Sequence, residues 1–364
     1  MLQSDATIVT SITAAPLETP LHRPFTTARG SRSAAAAVRV TITLRCGQTG
    51  VGESTPVEYV TGETPESVLL AVETCAPALI GLDIRRYNQM FRAIAAAAPN
   101  SPSARCGMEM AVLDGLCLAR GEPLQTLLGG ALTRVETDVT IPICGESREL
   151  AGHASELGMR RLKVKLSGDA DADLRRLAEI RSAAPDCRLR VDANQAFSVD
   201  GALAFVNRLA ATGISTEFFE QPTPKEDLDG LAHVAAHSPI PVFADESCQT
   251  PEQALRIVST TEVAGLNLKA NKCGIDGLLQ IIPIARAADR KIMMGCMLET
   301  RRSIAVSLAI VLGTGAFDYV DLDSHMLVNE NGPNPCFRQI GGWLEFADGC
   351  GPELSTAGGN DAPM

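Results

Sequence analysis

The sequence predicts a parallel β/α barrel carrying a smaller α+β cap, and three observations lead there. Short apolar, strand-like runs recur at regular spacing through the second part of the chain. Helical segments rich in Ala, Leu and Arg separate them, giving strand-helix repeats of roughly 20 to 30 residues. The first part of the chain lacks this alternation and reads as antiparallel strands followed by helices. A chain of 364 residues accommodates a barrel of about 250 residues together with such a partner unit.

The cap is expected over residues 1–130. Apolar alternation near Thr7–Ile12 and Ala37–Leu44, then Gly47-Gln48-Thr49-Gly50, predicts an antiparallel sheet with turns. Residues 22–33, which include Arg23, Arg29 and Arg32, read as a loop between these strands. Helical periodicity follows at about Glu66–Ala78, Ile84–Ala97 and Ala104–Ala119.

The barrel is expected over residues 131–325. Its strands are Thr137–Ile143, Arg161–Leu166, Leu189–Ala193, Thr216–Glu220, Pro241–Asp245, Val263–Lys269, Lys291–Met297 and Phe317–Asp323. Eight such strands suggest closure. A doubly wound open sheet is the alternative, but no Gly-x-Gly-x-x-Gly turn follows an early strand. Residues 326–364 are expected to return to the cap, with a short strand and turn at Gly341-Gly342-Trp343-Leu344 and a small polar tail from Ser355.

Composition narrows the function. A 45% hydrophobic fraction indicates a globular core rather than disorder. The formal charge of -11 carries no basic stripe, which argues against nucleic acid or an anionic membrane as partner. Eleven scattered cysteines without a Cys-x-x-Cys pair suggest neither a disulfide framework nor a zinc site. With no signal-like start and no apolar run of about 18 residues, the expected location is the cytoplasm.

Lysine usage then points to chemistry. The chain has six lysines beside 26 arginines. Lys163 and Lys165 sit one residue apart in Arg161-Leu162-Lys163-Val164-Lys165-Leu166 and so share one strand face. A buried lysine can lose its proton, whereas an arginine in practice cannot. An edge strand with a solvated lysine face is the plain alternative until the other strand ends are read. In order they carry Lys163 and Lys165, Asp192 with Asn194, Glu220, Asp245 with Glu246, Lys269, and Asp321 with Asp323. Barrel chemistry sits at these C-terminal ends. With 43 acidic residues in 364, three consecutive acidic ends arise by chance on the order of once in 500.

Three carboxylates converging in a confined site need a cation to stay ionised together. Oxygen-only ligands point to a hard ion such as Mg²⁺. Such an ion can grip a substrate carboxylate and stabilise the enediolate left when the α-proton is removed. Lys165 and Lys269, from strands two and six of eight, would face each other across the barrel. One can remove the proton from one face while the other donates to the opposite face, a two-base 1,1-proton transfer. A lysine pKa lowered by burial and by positive neighbours is expected for this role. His233 and His237 share a helix face without a third ligand and read as structural.

Taken together, Lys-Val-Lys, Val-Asp-Ala-Asn, Glu-Gln-Pro, Ala-Asp-Glu-Ser and Asn-Leu-Lys, in this order and spacing, resemble the muconate-lactonizing-enzyme subgroup of the enolase superfamily. A Lys base working with Mg²⁺ is a known chemistry of that superfamily. The resemblance implies a modified TIM barrel, (β/α)7β, with an α+β capping domain. It implies metal ligands at Asp192, Glu220 and Asp245, acid/base lysines at Lys165 and Lys269, an auxiliary Lys163, and supporting roles for Asn194 and Glu246. It also implies a homo-oligomer.

Within the subgroup, two stretches resemble dipeptide epimerases, particularly those acting on L-Ala-D/L-Glu, which serve in recycling of cell-wall peptides. Asp321-Leu322-Asp323 resembles the pair that binds the substrate's N-terminal ammonium. The arginine loop resembles a specificity loop, so Arg32, with Arg29, would meet the γ-carboxylate of Glu. Related members have Gly-Gly where this chain has Gly274-Ile275. Glu299, if it faces inward, adds a negative group that favours a cationic substrate end. N-acylamino acid racemisation, o-succinylbenzoate formation and cycloisomerisation pass through the same enediolate, but their substrates carry no ammonium for the Asp pair. A non-catalytic barrel has no need of two lysines and three carboxylates together.

Overall fold

The computed structural model describes residues 5–330 and 337–347; the tail expected from Ser355 lies outside them. The cap begins with β1 (Val9–Thr27), β2 (Gly30–Leu44) and β3 (Thr49–Ser54), an antiparallel sheet in the order β1-β2-β3. On β2 the side chains of Val38, Val40, Ile42 and Leu44 are buried. A short turn of helix, α1 (Glu58–Thr61), leads to α2 (Pro65–Leu79), α3 (Tyr87–Ala97), α4 (Pro102–Arg120) and α5 (Leu124–Leu127). Helix α4 lies directly on the sheet because β3 presents glycines there. A Cβ on Gly52 would stand 2.1 Å from the Gly107 carbonyl oxygen.

Residues 22–33 are not a loop. Strands β1 and β2 continue through them as a hairpin whose register runs to Thr27↔Gly30, with an irregularity between Pro20 and Phe25. Pro20 and Pro24 sit on β1, an edge strand, where a missing N–H is tolerated.

The barrel strands are β5 (Val139–Ile141), β6 (Arg161–Lys165), β7 (Arg188–Asp192), β8 (Thr216–Glu220), β9 (Val242–Ala244), β10 (Gly265–Leu268), β11 (Lys291–Met294) and β12 (Tyr319–Val320), preceded by the short β4 (Arg134–Glu136). They form one parallel eight-stranded sheet in sequential order, and its two ends meet where the Asp138 N–H donates to the Val320 carbonyl at 3.2 Å. The helices between them are α6 (Ser147–Glu156), α7 (Ala170–Ala183), α8 (Val199–Ala211), α9 (Leu228–His237), α10 (Pro251–Thr260), the single turn α11 (Ala270–Cys273) with α12 (Ile275–Ala287), and α13 (Arg301–Thr314). Seven strand-helix units followed by an eighth strand make this a (β/α)7β barrel; α14 (Ser324–Leu327) is one turn after it.

Beyond the barrel the chain touches the cap at Leu21↔Val328. Strands β13 (Phe337–Ile340) and β14 (Trp343–Phe346) then pair with each other and with β4, not with a cap strand as the sequence suggests. No helix among the described residues is long and apolar enough to cross a membrane.

Candidate active site

Each barrel strand alternates sides, so residues two apart enter the interior together. On β6 both lysines do so. Lys163 is fully buried, and its Nζ donates to Glu220 at 3.0 Å and to Asp321 Oδ2 at 2.8 Å, with Asp192 at 3.2 Å. Lys165 reaches further out, and its Nζ donates to Asp192 Oδ2 at 2.7 Å. From the opposite side, Lys269 follows β10 and donates to Asp245 Oδ2 at 2.7 Å. The lysines on barrel strands two and six therefore flank the carboxylates as the sequence suggests.

Asp192, Glu220 and Asp245 are all fully buried, and one ligand oxygen from each lies within 4.8 Å of the others. This set could hold a metal ion. The donor set favours a hard cation, because all of its donors are carboxylate oxygens; Glu220 Oε2 also lies 3.0 Å from Lys163 Nζ. Burial and the charge of Asp192 push the Glu220 carboxyl up to about 8. Asn194 lies beside the set, donating from its N–H to Asp192 Oδ1 at 2.9 Å and from its side chain to Glu246 Oε1 at 3.2 Å. Asn194 and Gln195 take left-handed backbone angles, φ 43° and 69°, unusual for residues with side chains.

The lysine charge differs from the expectation. Burial pulls the Lys165 and Lys269 amines toward neutrality, but the adjacent carboxylates, Asp192 and Asp245 first, outweigh it and hold both above the ordinary lysine range. The carboxylates thus dominate the neighbouring positive charges.

A cavity of about 890 Å³, open to solvent, lies over this centre. Lys165, Lys269, Asp321 and Asp323 line its floor, while Phe25, Arg29, Arg32, Val57, Tyr59 and Leu298 come from the cap and barrel loops. Asp321 accepts from Lys163 at Oδ2 and lies against the Asp138 carboxyl, with which it shares a hydrogen bond. Asp323 uses Oδ2 on the Thr140 N–H at 2.6 Å. Its Oδ1 accepts from the Cys296 thiol at 3.9 Å.

Three expectations need correction or division. The Glu299 carboxylate is fully buried and turned away from the cavity, accepting from the Met297 N–H at 2.9 Å and from the Ser303 hydroxyl near the start of α13. It serves the chain around that helix start. The two arginines of the hairpin also part company. Arg29 is committed to the barrel, its Nε donating to the Asn194 carbonyl at 2.9 Å and its Nη2 to that of Gln195 at 3.2 Å. Arg32 lines the cavity and has no ion pair among the described residues.

Sequence reasoning missed several supporting groups. Lys272 is fully buried and donates to Asp245 Oδ1 at 2.7 Å and to the Asn267 carbonyl at 2.7 Å. Asn267 donates to Glu220 Oε1 at 2.7 Å. Below them Arg190 pairs with Asp138 at 2.5 Å and lies 4.9 Å from the Tyr319 ring centre. Two signals were available: Lys272 is one of only six lysines, and Asn267 and Arg190 stand two residues before Lys269 and Asp192 on inward-facing positions.

The fold and this constellation define a class, barrels in which inward-facing lysines flank a buried group of carboxylates. The chain belongs to the mandelate racemase/muconate lactonizing enzyme family of the enolase superfamily: residues 9–129 match the mandelate racemase/muconate lactonizing enzyme N-terminal domain and residues 146–352 the enolase C-terminal domain-like family. It is 36% identical to an aromatic dipeptide epimerase of Herpetosiphon aurantiacus, covering 96% of this chain and 99% of that one. It is 35% identical to an L-Ala-D/L-Glu epimerase of Thermotoga maritima, covering 91% and 95%. A dipeptide epimerase from Enterococcus faecalis, solved with Mg and the dipeptide L-Leu-L-Tyr, superposes with a TM-score of 0.91 at 29% identity, covering 96% of this chain and 100% of that one.

Proposed function

We propose that this enzyme is a Mg²⁺-dependent dipeptide epimerase that inverts the α-carbon of the C-terminal residue, with an acidic residue such as Glu at that position. The observation that carries the reading is the placement of Lys165 and Lys269 on opposite sides of one cavity, beside three carboxylates. Asp192, Glu220 and Asp245 would hold the ion; bound there, it would balance their charge and stabilise the negative charge that develops as the α-proton leaves. One lysine takes the proton from its side of the α-carbon, and the other returns a proton from the opposite side. Lys163 stays beneath them as a fixed charge tying Glu220 to Asp321.

The carboxylates of Asp321 and Asp323, which both line the cavity, suit a substrate ammonium, which has three donors to offer. This separates a dipeptide from an N-acylated amino acid, whose nitrogen carries no charge. Arg32, without an ion pair among the described residues and in a wall otherwise supplied by Phe25, Val57 and Leu298, suits a substrate carboxylate.

Proton exchange in D₂O, followed by NMR with Mg²⁺ across L-Ala-L-Xaa dipeptides and an N-succinylamino acid, tests this reading. Deuterium should enter the C-terminal residue of Ala-Glu. Arg32→Ala should lower kcat/KM for Ala-Glu by about 10-fold to 100-fold, the scale of a lost charge-assisted hydrogen bond, and spare Ala-Leu. Exchange confined to hydrophobic or cationic dipeptides removes the role of Arg32, and exchange confined to the N-acylated compound removes the dipeptide reading.

A pH dependence follows from the ammonium site. Burial and then the charge of Asp321 push the Asp323 carboxyl up to about 6. Protonation removes a charge that faces the ammonium, so KM for a dipeptide should rise as pH falls through about 6. An N-acylated substrate should show no such rise. A flat KM for the dipeptide across that range rules out Asp323 as an ammonium ligand.

A further inference from the structure

Lys165 and Lys269 are held in different ways. The segment after Lys165 is fixed by the barrel itself, because Asp173 of α7, fully buried, accepts from the Ser167 N–H at 2.9 Å and the Gly168 N–H at 3.1 Å. Among the described residues, no barrel carboxylate does the same for the backbone after Lys269. That segment makes the single turn α11, breaks at Gly274 with φ 72°, and restarts as α12 without a side-chain N-cap of its own.

The cap domain supplies what is missing. Glu109 on α4 reaches across and accepts from the first N–H groups of α12, those of Ile275 at 2.5 Å and Asp276 at 3.1 Å. Arg105, one turn earlier on α4, donates to the Cys273 carbonyl at 3.1 Å. Ser103 donates to the Asn271 carbonyl at 2.9 Å, and the Asn271 side chain accepts from the Thr55 N–H at 2.7 Å. Asn271, Cys273, Ile275 and Asp276 are thus tied to the cap, and the same stretch carries Lys272 against Asp245. The break leaves room for the carboxylate: a Cβ on Gly274 would stand 3.2 Å from Glu109 Oε2.

We infer that Glu109 is a positioning residue for Lys269, setting that lysine through a helix cap supplied across the domain boundary, while the backbone after Lys165 is held by the barrel's own Asp173. The inference rests on the reading of Lys165 and Lys269 as the acid/base pair. It gives the cap domain a hold on one half of a two-sided reaction. Ile275, whose side chain is fully buried, belongs to this arrangement through its N–H.

The test uses the full-length enzyme with Mg²⁺ and measures initial α-proton exchange in D₂O separately from each of the two epimers. Lys269→Ala identifies the epimer whose proton Lys269 removes. Glu109→Ala should slow exchange from that epimer about tenfold or more and leave the other within about twofold, since small displacements of a reacting group carry penalties of this size. Glu109→Gln should restore most of the rate, because its amide oxygen still accepts from the α12 N–H groups. Burial already pushes the Glu109 carboxyl up to about 7, so an uncharged acceptor is compatible with the site.

Should Glu109→Ala not fold, Arg105→Ala removes the bond to Cys273 and should show the same asymmetry at smaller size. Amide exchange across 270–276 should quicken with it. Equal slowing from both epimers, or no slowing in either variant, overturns the inference. A Lys269→Ala enzyme that slows both epimers equally overturns the acid/base reading and the inference with it.

Discussion

Alanine at Lys165 or at Lys269 is expected to abolish epimerisation, with a fall of about 10²- to 10⁴-fold or more, the range attributed to a positioned acid or base. Each variant should retain proton exchange from one epimer, the one served by the remaining lysine, and lose it from the other. The substitutions should leave the protein folded. Asp192 keeps Lys163 at 3.2 Å when Lys165 is removed, and Asp245 keeps Lys272 at 2.7 Å when Lys269 is removed. Neither of these buried carboxylates is left without a cation, which is the usual source of severe destabilisation. Circular dichroism and melting temperature check that part. A variant that still epimerises at near the parent rate would remove its lysine from the mechanism.

Chelation is the second expected result of large size. Turnover should vanish with EDTA and return with Mg²⁺, and saturating Mg²⁺ should raise the melting temperature, since an ion at 100 times its Kd contributes about 2.7 kcal/mol. Glu220→Gln should weaken Mg²⁺ and reduce activity by about 10²-fold or more, given that even outer partners of a metal ligand cost about 10–100-fold. Asn267 can still bond the amide oxygen at this position, so loss of fold is not expected to confuse the result. Full activity after chelation, with no metal detected by elemental analysis, would exclude the ion from the reaction.

The strand ends were legible because barrel strands are short and buried. A charge that terminates an apolar run, as in Val191-Asp192, Phe219-Glu220 and Ala244-Asp245, has few places to go except the mouth of the barrel. The lysine pair was legible for the same reason, reinforced by how rarely this chain uses lysine. Long-range partners were not. Nothing local to Glu109 says that it would serve a helix 166 residues further on, whereas Glu299 is held by near neighbours, Met297 two residues before it and Ser303 four after it. The hairpin misled because three arginines among flexible neighbours read as a loop, whereas the pairing of β1 with β2 runs on to Thr27↔Gly30.

The hairpin also separates two duties that a single arginine could have combined. Arg29 fastens the tip to the carbonyls of Asn194 and Gln195, while Arg32, three residues on, faces the cavity with no ion pair among the described residues. The anchor and the residue proposed to read the substrate side chain are therefore different. Position 32 can be replaced without unfastening the tip from the loop that carries Asn194, the partner of Asp192. Drift at that one position offers a route to new dipeptide preferences in which the proton-transfer chemistry is inherited unchanged.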